Sequence, residues 1–237
     1  MTLSLQTHVL AAAAGAAMAT ALCWSRRHWR RTPTWYGMFE PLSDLPADPF
    51  ELLRDWIEQA QEALGFVEAH AMVIATSSAE GGATARTVVL QSASAEAGLM
   101  FGSNRESLKA QQARADGRVE AVLRFGQRQV RVRGQLSLDD AKTEDSFRRV
   151  HPAARVGLAA LQQGREIDEH HYAELLKRVE ADLRGPERDV PPPSYVAFVL
   201  RPRSFEFYNG GNPSYCNDRF LYVRRDHDSG FLPPIRL

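Results

Sequence analysis

Between residues 48 and 64 the apolar positions fall at Phe50, Leu52, Leu53, Trp56, Ile57, Ala60 and Leu64, the i, i+3, i+4, i+7 spacing of a helix that buries one face. Asp48 suits its N-cap and Pro49 its first turn, where a backbone N–H has no intrahelical partner to lose. The period then shortens. Residues 71–76, 85–91, 98–103, 118–125 and 127–138 read as strands, separated by Gly, Ser, Asn or Asp turns. Five strands within about seventy residues predict a meandering antiparallel sheet or barrel.

Residues 105–115 are too polar for a central strand and predict a short helix across the barrel mouth. Residues 139–183 predict helix interrupted near Pro152 and Gly164, and Pro186, Pro191, Pro192 and Pro193 mark a stiff connector. Strand-like runs at 195–200, 204–208 and 219–224 close the chain. The pattern is predominantly β with peripheral helices, an α+β domain over residues 41–237.

Residues 1–40 stand apart. Residues 9–24 are an Ala-rich apolar run, followed by Arg26, Arg27, His28, Arg30 and Arg31, with no acid before Glu40. Such a leader reads either as a transit peptide for a mitochondrion or plastid or as a membrane anchor, and contributes nothing to the fold argument. The whole chain balances 29 basic against 29 acidic residues, so no global field draws it to nucleic acid, and membrane contact is expected only through the leader. Cys23 and Cys216 are too few for a disulfide framework or a zinc site. His170 and His171 beside Glu169 read as a solvated helix face, and no metal is expected because the sequence places no further ligand near them.

No GxGxxG follows a strand, and there is no Walker A loop, HExxH or GxSxG. Basic, hydroxyl and amide side chains recur instead at element ends: Arg86, Ser103, Lys109, Gln129 and Arg219. Taken singly, each reads as an ordinary surface group. Converging, they would suit a phosphate monoester, which needs positive charge and several hydrogen-bond donors.

The ordered succession of segments resembles the pyridoxine/pyridoxamine 5′-phosphate oxidase family. It runs from Leu45-Pro46-Ala47-Asp48-Pro49-Phe50 and Trp56 through Ala71-Met72-Val73-Ile74-Ala75-Thr76 and Ala85-Arg86-Thr87-Val88-Val89-Leu90. Met100-Phe101-Gly102-Ser103-Asn104 and Ser107-Leu108-Lys109-Ala110-Gln111 follow, then Arg128-Gln129-Val130-Arg131-Val132. Phe205-Glu206-Phe207-Tyr208-Asn209-Gly210-Gly211 and Asp218-Arg219-Phe220-Leu221-Tyr222 complete it. The resemblance implies a split β-barrel homodimer with two FMN molecules at the subunit interface. By position, Arg86, Thr87, Val88, Val89 and Leu90 would contact FMN, with Gly102, Ser103 and Lys109 at its phosphate. Gln129, Gln163, Tyr208 and Arg219 would approach from neighbouring segments, Tyr208 standing where the family has tryptophan. Leu108 stands where the family has an arginine on the phosphate, which removes one charge-assisted contact.

The substrate side departs further from the family. Gln91 replaces a lysine, Phe147 and His151 correspond most simply to a tyrosine and an arginine that hold the substrate phosphate, and Tyr215 and Asn217 replace an Arg-x-His pair. Arg148, Arg149 or Arg155 could substitute if the helix register has shifted. The resemblance implies FMN-dependent oxidation of pyridoxine or pyridoxamine 5′-phosphate, a small phosphorylated pyridine, to pyridoxal 5′-phosphate with oxygen as acceptor. A flavin oxidoreductase of the same fold on another substrate, and a non-catalytic relative, remain alternatives.

Overall fold

The computed structural model describes residues 42–79, 81–160, 166–182, 190–210, 217–225 and 230–237. The leader, Gln163, Tyr215 and both cysteines lie outside the described residues.

Helix α1, Pro49–Leu64, forms where the apolar spacing predicts it, and Asp48 caps it by accepting from the Phe50 backbone N–H at 3.0 Å. A single turn, α2 (Phe66–Ala69), leads into the sheet. The strands are β1 Ala71–Ser78, β2 Gly82–Val89, β3 Ser92–Ser94, β4 Gly98–Asn104, β5 Arg118–Phe125, β6 Arg128–Asp139, β7 Tyr195–Asn209, β8 Asp218–Val223 and β9 Ile235–Arg236. All pairings are antiparallel, in the order β2-β1-β5-β6-β7-β4-β3, with β8 also on β7 and β9 on β8. The sheet does not close on itself: β2 and β3 end the path.

Strand β7 explains the split. The runs expected as two strands, 195–200 and 204–208, are one strand that pairs with β6 along one edge. Its other edge pairs first with β4 and then with β8. A register shift at Arg133/Gly134 falls where that other edge passes from β4 to β8. Gly134 fits there because a Cβ would lie 2.1 Å from the Arg201 carbonyl oxygen, so the backbones approach more closely than any side chain allows. The short strands β3 and β9 have too few residues for a period to show.

The apolar face of α1 packs on the sheet and shares its core. Phe50 meets Phe205 edge-on at 5.0 Å and Trp56 meets Phe207 at 5.2 Å. Phe207 in turn packs on Tyr222, whose hydroxyl donates to the Pro46 carbonyl at 3.0 Å. Trp56 is 4% exposed, so Trp56→Ala would cost about 3–5 kcal/mol.

Helix α3, Leu108–Ala115, packs against β1 and β6 and carries Lys109 and Gln112 onto the sheet. The stretch predicted as one interrupted helix is a 3-10 turn at Asp140–Lys142 followed by α4 (Thr143–Arg149), α5 (Pro152–Ala160) and α6 (Glu169–Asp182). The first break precedes Pro152, whose ring disfavours helical geometry in the residue before it. Among the described residues no helix is long and apolar enough to cross a membrane, and no group of His, Cys, Asp or Glu is placed to hold a metal ion.

Candidate functional site

Strand alternation turns Thr84 and Arg86 to the same side of β2, opposite Thr76 of β1. Arg86 donates from Nη1 to Thr76 Oγ1 at 2.6 Å and from Nη2 to Thr84 Oγ1 at 2.7 Å. Gln112 of α3 closes the group, its Oε1 accepting from Thr76 at 2.5 Å and Thr84 at 3.0 Å. Lys109 and Ser103 are buried, at 7% and 5% exposure. Burial, and then the charge of Arg86, pull the Lys109 ammonium down from the usual lysine value to about 8. Two cations are thus held among hydroxyls and an amide, a set that can neutralise and hydrogen-bond a phosphate dianion. Leu108 is 52% exposed and adds no charge.

A second group lies on the other face of the sheet. Arg124, Gln129, Tyr208 and Arg219 face one another in register across four strands, β5 to β8. Their in-strand neighbours Leu123, Val130, Phe207 and Phe220 point into the core. With Asn217, Gly210 and the Gly126-Gln127 turn, this row lines an open cavity of about 390 Å³. The Arg219 guanidinium lies over the Tyr208 ring at 5.5 Å, and its Nε sits 3.6 Å from Glu206. Tyr208, Gln129 and Arg219 offer an aromatic face, an amide and a cation, which suits a planar ligand that carries acceptor atoms.

The two groups cannot meet within one chain. Thr76 and Arg86 turn to the α3 side, the row turns away from it, and along β5 the position opposite Thr76 is Val119, five residues before Arg124. That is about 17 Å of strand.

The other positions named from sequence are distributed as follows. Thr87 and Val89 are exposed on the outer face of β2, Val88 is half-buried beneath, and Leu90 is buried. Gly102 lies under Tyr195, where a Cβ would stand 1.6 Å from the tyrosine oxygen. Gln91 does not face either group: its amide donates to the Ser146 carbonyl at 3.1 Å and to Tyr195 Oη at 3.3 Å, and accepts from Ser146 Oγ at 2.6 Å. Phe147 is buried edge-on against Tyr195 at 5.1 Å, and His151 is exposed. Asn217 does line the cavity.

Nor do the three arginines of the neighbouring helices enter that cavity. Arg148 and Arg149 are exposed and pair with Glu144 and Asp145 of their own helix. Arg155 turns back onto the carbonyls of Val150 and Arg148 at 2.9 and 2.8 Å.

Sequence reasoning missed Thr76, Thr84, Gln112 and Arg124. Thr84 carries a readable signal, since it has the alternation phase of Arg86 on the same strand, whereas Thr76 joins it only through the pairing of β1 with β2. Arg124 could be placed only once its register with Gln129 was known.

No family model matches the chain. It is 32% identical over 193 residues to a pyridoxine/pyridoxamine 5′-phosphate oxidase of Rhodopirellula baltica, covering 79% of this chain and 85% of that protein. Its identity to the same enzyme of Microcystis aeruginosa is 34% over 204 residues, covering 82% and 91%. The chain belongs to the pyridoxine/pyridoxamine 5′-phosphate oxidase family. Two solved structures share its fold. PhzG of Burkholderia lata, in complex with tetrahydrophenazine-1-carboxylic acid, has a TM-score of 0.71 at 21% identity, covering 85% of this chain and 97% of that one. A pyridoxamine 5′-phosphate oxidase-related, FMN-binding protein of Nostoc punctiforme has a TM-score of 0.66 at 19% identity, covering 81% and 99%. The open sheet described above is therefore the family's split β-barrel.

Proposed function

We propose that the chain is an FMN-dependent oxidase of the pyridoxine/pyridoxamine 5′-phosphate type, working as a homodimer. Each flavin is held by the Arg86 group of one protomer and the Gln129–Tyr208–Arg219 row of its partner. The observation that carries this reading is the separation of two complementary half-sites onto opposite faces of one sheet. Arg86, Lys109 and Ser103 fit the flavin phosphate, and Tyr208 with Gln129 fits the ring system. Strand β2 ends the sheet path, so its outer backbone edge is open to a ligand as well.

FMN held by these residues would supply the redox chemistry, a two-electron acceptor for the substrate that oxygen can reoxidise. The chain's own part is to orient: Arg86 and Lys109 anchor the anionic end, and Gln129 and Tyr208 fix the plane of the ring. The substrate of the named relatives, a small phosphorylated pyridine, is the substrate proposed here, and pyridoxal 5′-phosphate the product.

A second reading, oxidation of another substrate, is favoured by one observation. Gln91 spends its amide on Ser146 and Tyr195 rather than on the cavity. The visible spectrum of the purified full chain, taken before and after anaerobic addition of pyridoxine 5′-phosphate, separates the two. Flavin bands that bleach establish the first reading. Bands that persist favour the second, and a chain that binds no added FMN overturns both.

The leader is proposed to direct the protein to an organelle or to tether it to a membrane, on the strength of its apolar run and arginines. Sequencing the mature N-terminus distinguishes removal from retention.

A further inference from the structure

Every carboxylate beside the cavity row already has a cation. Glu120 bonds Arg131 and Arg133, Glu206 bonds Arg131 and Arg219, and Asp218 pairs with Arg236. Arg124 is the exception among the row's charges. It is exposed and lines the cavity, and its guanidinium makes no hydrogen bond or ion pair with any described residue. Its place is fixed by β5: Leu123 and Phe125 on either side are buried at 0% and 3% exposure, so the intervening side chain must project from the outer face. Directly across the strand pair stands neutral Gln129, and two strands away, about 10 Å by strand spacing, the Tyr208 ring.

An unneutralised guanidinium at the mouth of a cavity with an aromatic and amide wall is a receptor for an anion attached to a ring. The flavin phosphate does not need it, because the Arg86 group lies on the opposite face. We infer that Arg124 binds the anionic substituent of the substrate, a phosphate monoester or a carboxylate carried on an aromatic ring, and thereby sets substrate specificity. This rests on the reading of the cavity as part of a flavin site. It assigns the charge recognition that Gln91 is not placed to provide.

The test is equilibrium binding to the full-length, FMN-loaded protein, followed through the perturbation of the flavin absorption bands. The probes are pyridoxal 5′-phosphate, pyridine-3-carboxylate and neutral pyridoxal. The wild type is expected to bind at least one of the two anions more tightly than pyridoxal. Arg124→Ala should weaken that anion by roughly tenfold to a hundredfold, the range for a lost charge-assisted hydrogen bond, and leave pyridoxal unchanged. Arg124→Lys should restore part of the affinity, and the Kd for FMN should stay within about threefold in both variants.

Preference for the phosphate identifies a phosphorylated substrate, and preference for the carboxylate identifies the other source of the same charge. The assignment is overturned if the wild type shows no preference for either anion, if Arg124→Ala keeps the preference, or if it weakens FMN as much as the probe. A wild type that takes up no FMN fails the flavin reading itself. Bound flavin without anion preference fails only the role of Arg124.

Discussion

Gln91 and Ser146 exchange hydrogen bonds: the serine hydroxyl donates to the glutamine carbonyl at 2.6 Å, and the glutamine amide donates to the serine main-chain oxygen at 3.1 Å. Tyr195 Oη joins both, 2.8 Å from Ser146 Oγ and 3.3 Å from the amide. The three side chains tie the end of β2 to α4 and the start of β7 through neutral groups that satisfy one another. Burial of the tyrosine pushes its hydroxyl above its usual value, so it stays protonated at neutral pH.

A lysine at position 91 would bring a charge into this network without a counter-charge. Gln91→Lys is therefore expected to destabilise the protein by about 2–3 kcal/mol, the cost of an unsatisfied polar site plus the lost amide bonds. It should give no gain in affinity for pyridoxal 5′-phosphate. Urea unfolding measures the first quantity and flavin-band titration the second. A variant as stable as wild type that binds the phosphate ten times more tightly would show that position 91 reaches the substrate.

Arg86 is expected to carry much of the affinity for the flavin phosphate. Its guanidinium is half-buried and fixed by Thr76 and Thr84, so it loses little further freedom on binding an anion. Arg86→Ala should raise the Kd for FMN about tenfold to a hundredfold in a fluorescence-quenching titration. Arg86→Lys should recover only part, because a single ammonium cannot span both threonines and a phosphate.

Lys109 gives a pH signature. Its folded-state value, about 8, lies below that of an unfolded lysine because burial and Arg86 oppose its charge. In the flavin-free protein the unfolded chain therefore binds more protons than the folded one above pH 8. This group's contribution to stability consequently rises from pH 8 toward the unfolded value. Phosphate binding runs the other way, since the dianion favours the charged ammonium. Affinity for FMN should fall as pH rises through 8, by up to about tenfold per unit, and Lys109→Met should flatten the profile between pH 7 and 9.5. A wild-type profile that is already flat would remove Lys109 from the phosphate site.

Local pattern made most of the barrel legible. The helix at Asp48 and strands such as β5 follow from capping and alternation, which are set by neighbours in sequence. The single long β7 was not legible. The Pro202 within it reads as a break, but the bulge opposite Gly134 accommodates it. The phosphate group could be approached from Arg86 and Lys109 alone, whereas Thr76 and Gln112 join it only through the pairing of β1 and the docking of α3. Gln91 shows the opposite limit. Its residue type fits a binding site, and only the three-dimensional arrangement reveals that Ser146 and Tyr195 engage it. Arg124 is equally a product of register, an unremarkable exposed arginine until Gln129 and Tyr208 fall beside it.

Because the two half-sites occupy opposite faces of one sheet, a flavin shared between protomers makes a prediction that no single-chain site can meet. Arg86→Ala removes one half-site and leaves the row; Gln129→Ala combined with Tyr208→Ala removes the row and leaves Arg86. Each homodimer then has two damaged sites. In a mixed dimer, one site collects both defects and the other collects neither. Unfolding and refolding the two variants together at equal concentration should produce mixed dimers as half the population, so about a quarter of all sites regain wild-type FMN affinity. Titration with FMN reads this directly as a tight phase absent from either variant alone. If the mixture binds no better than the average of its parents, each flavin is held within a single protomer.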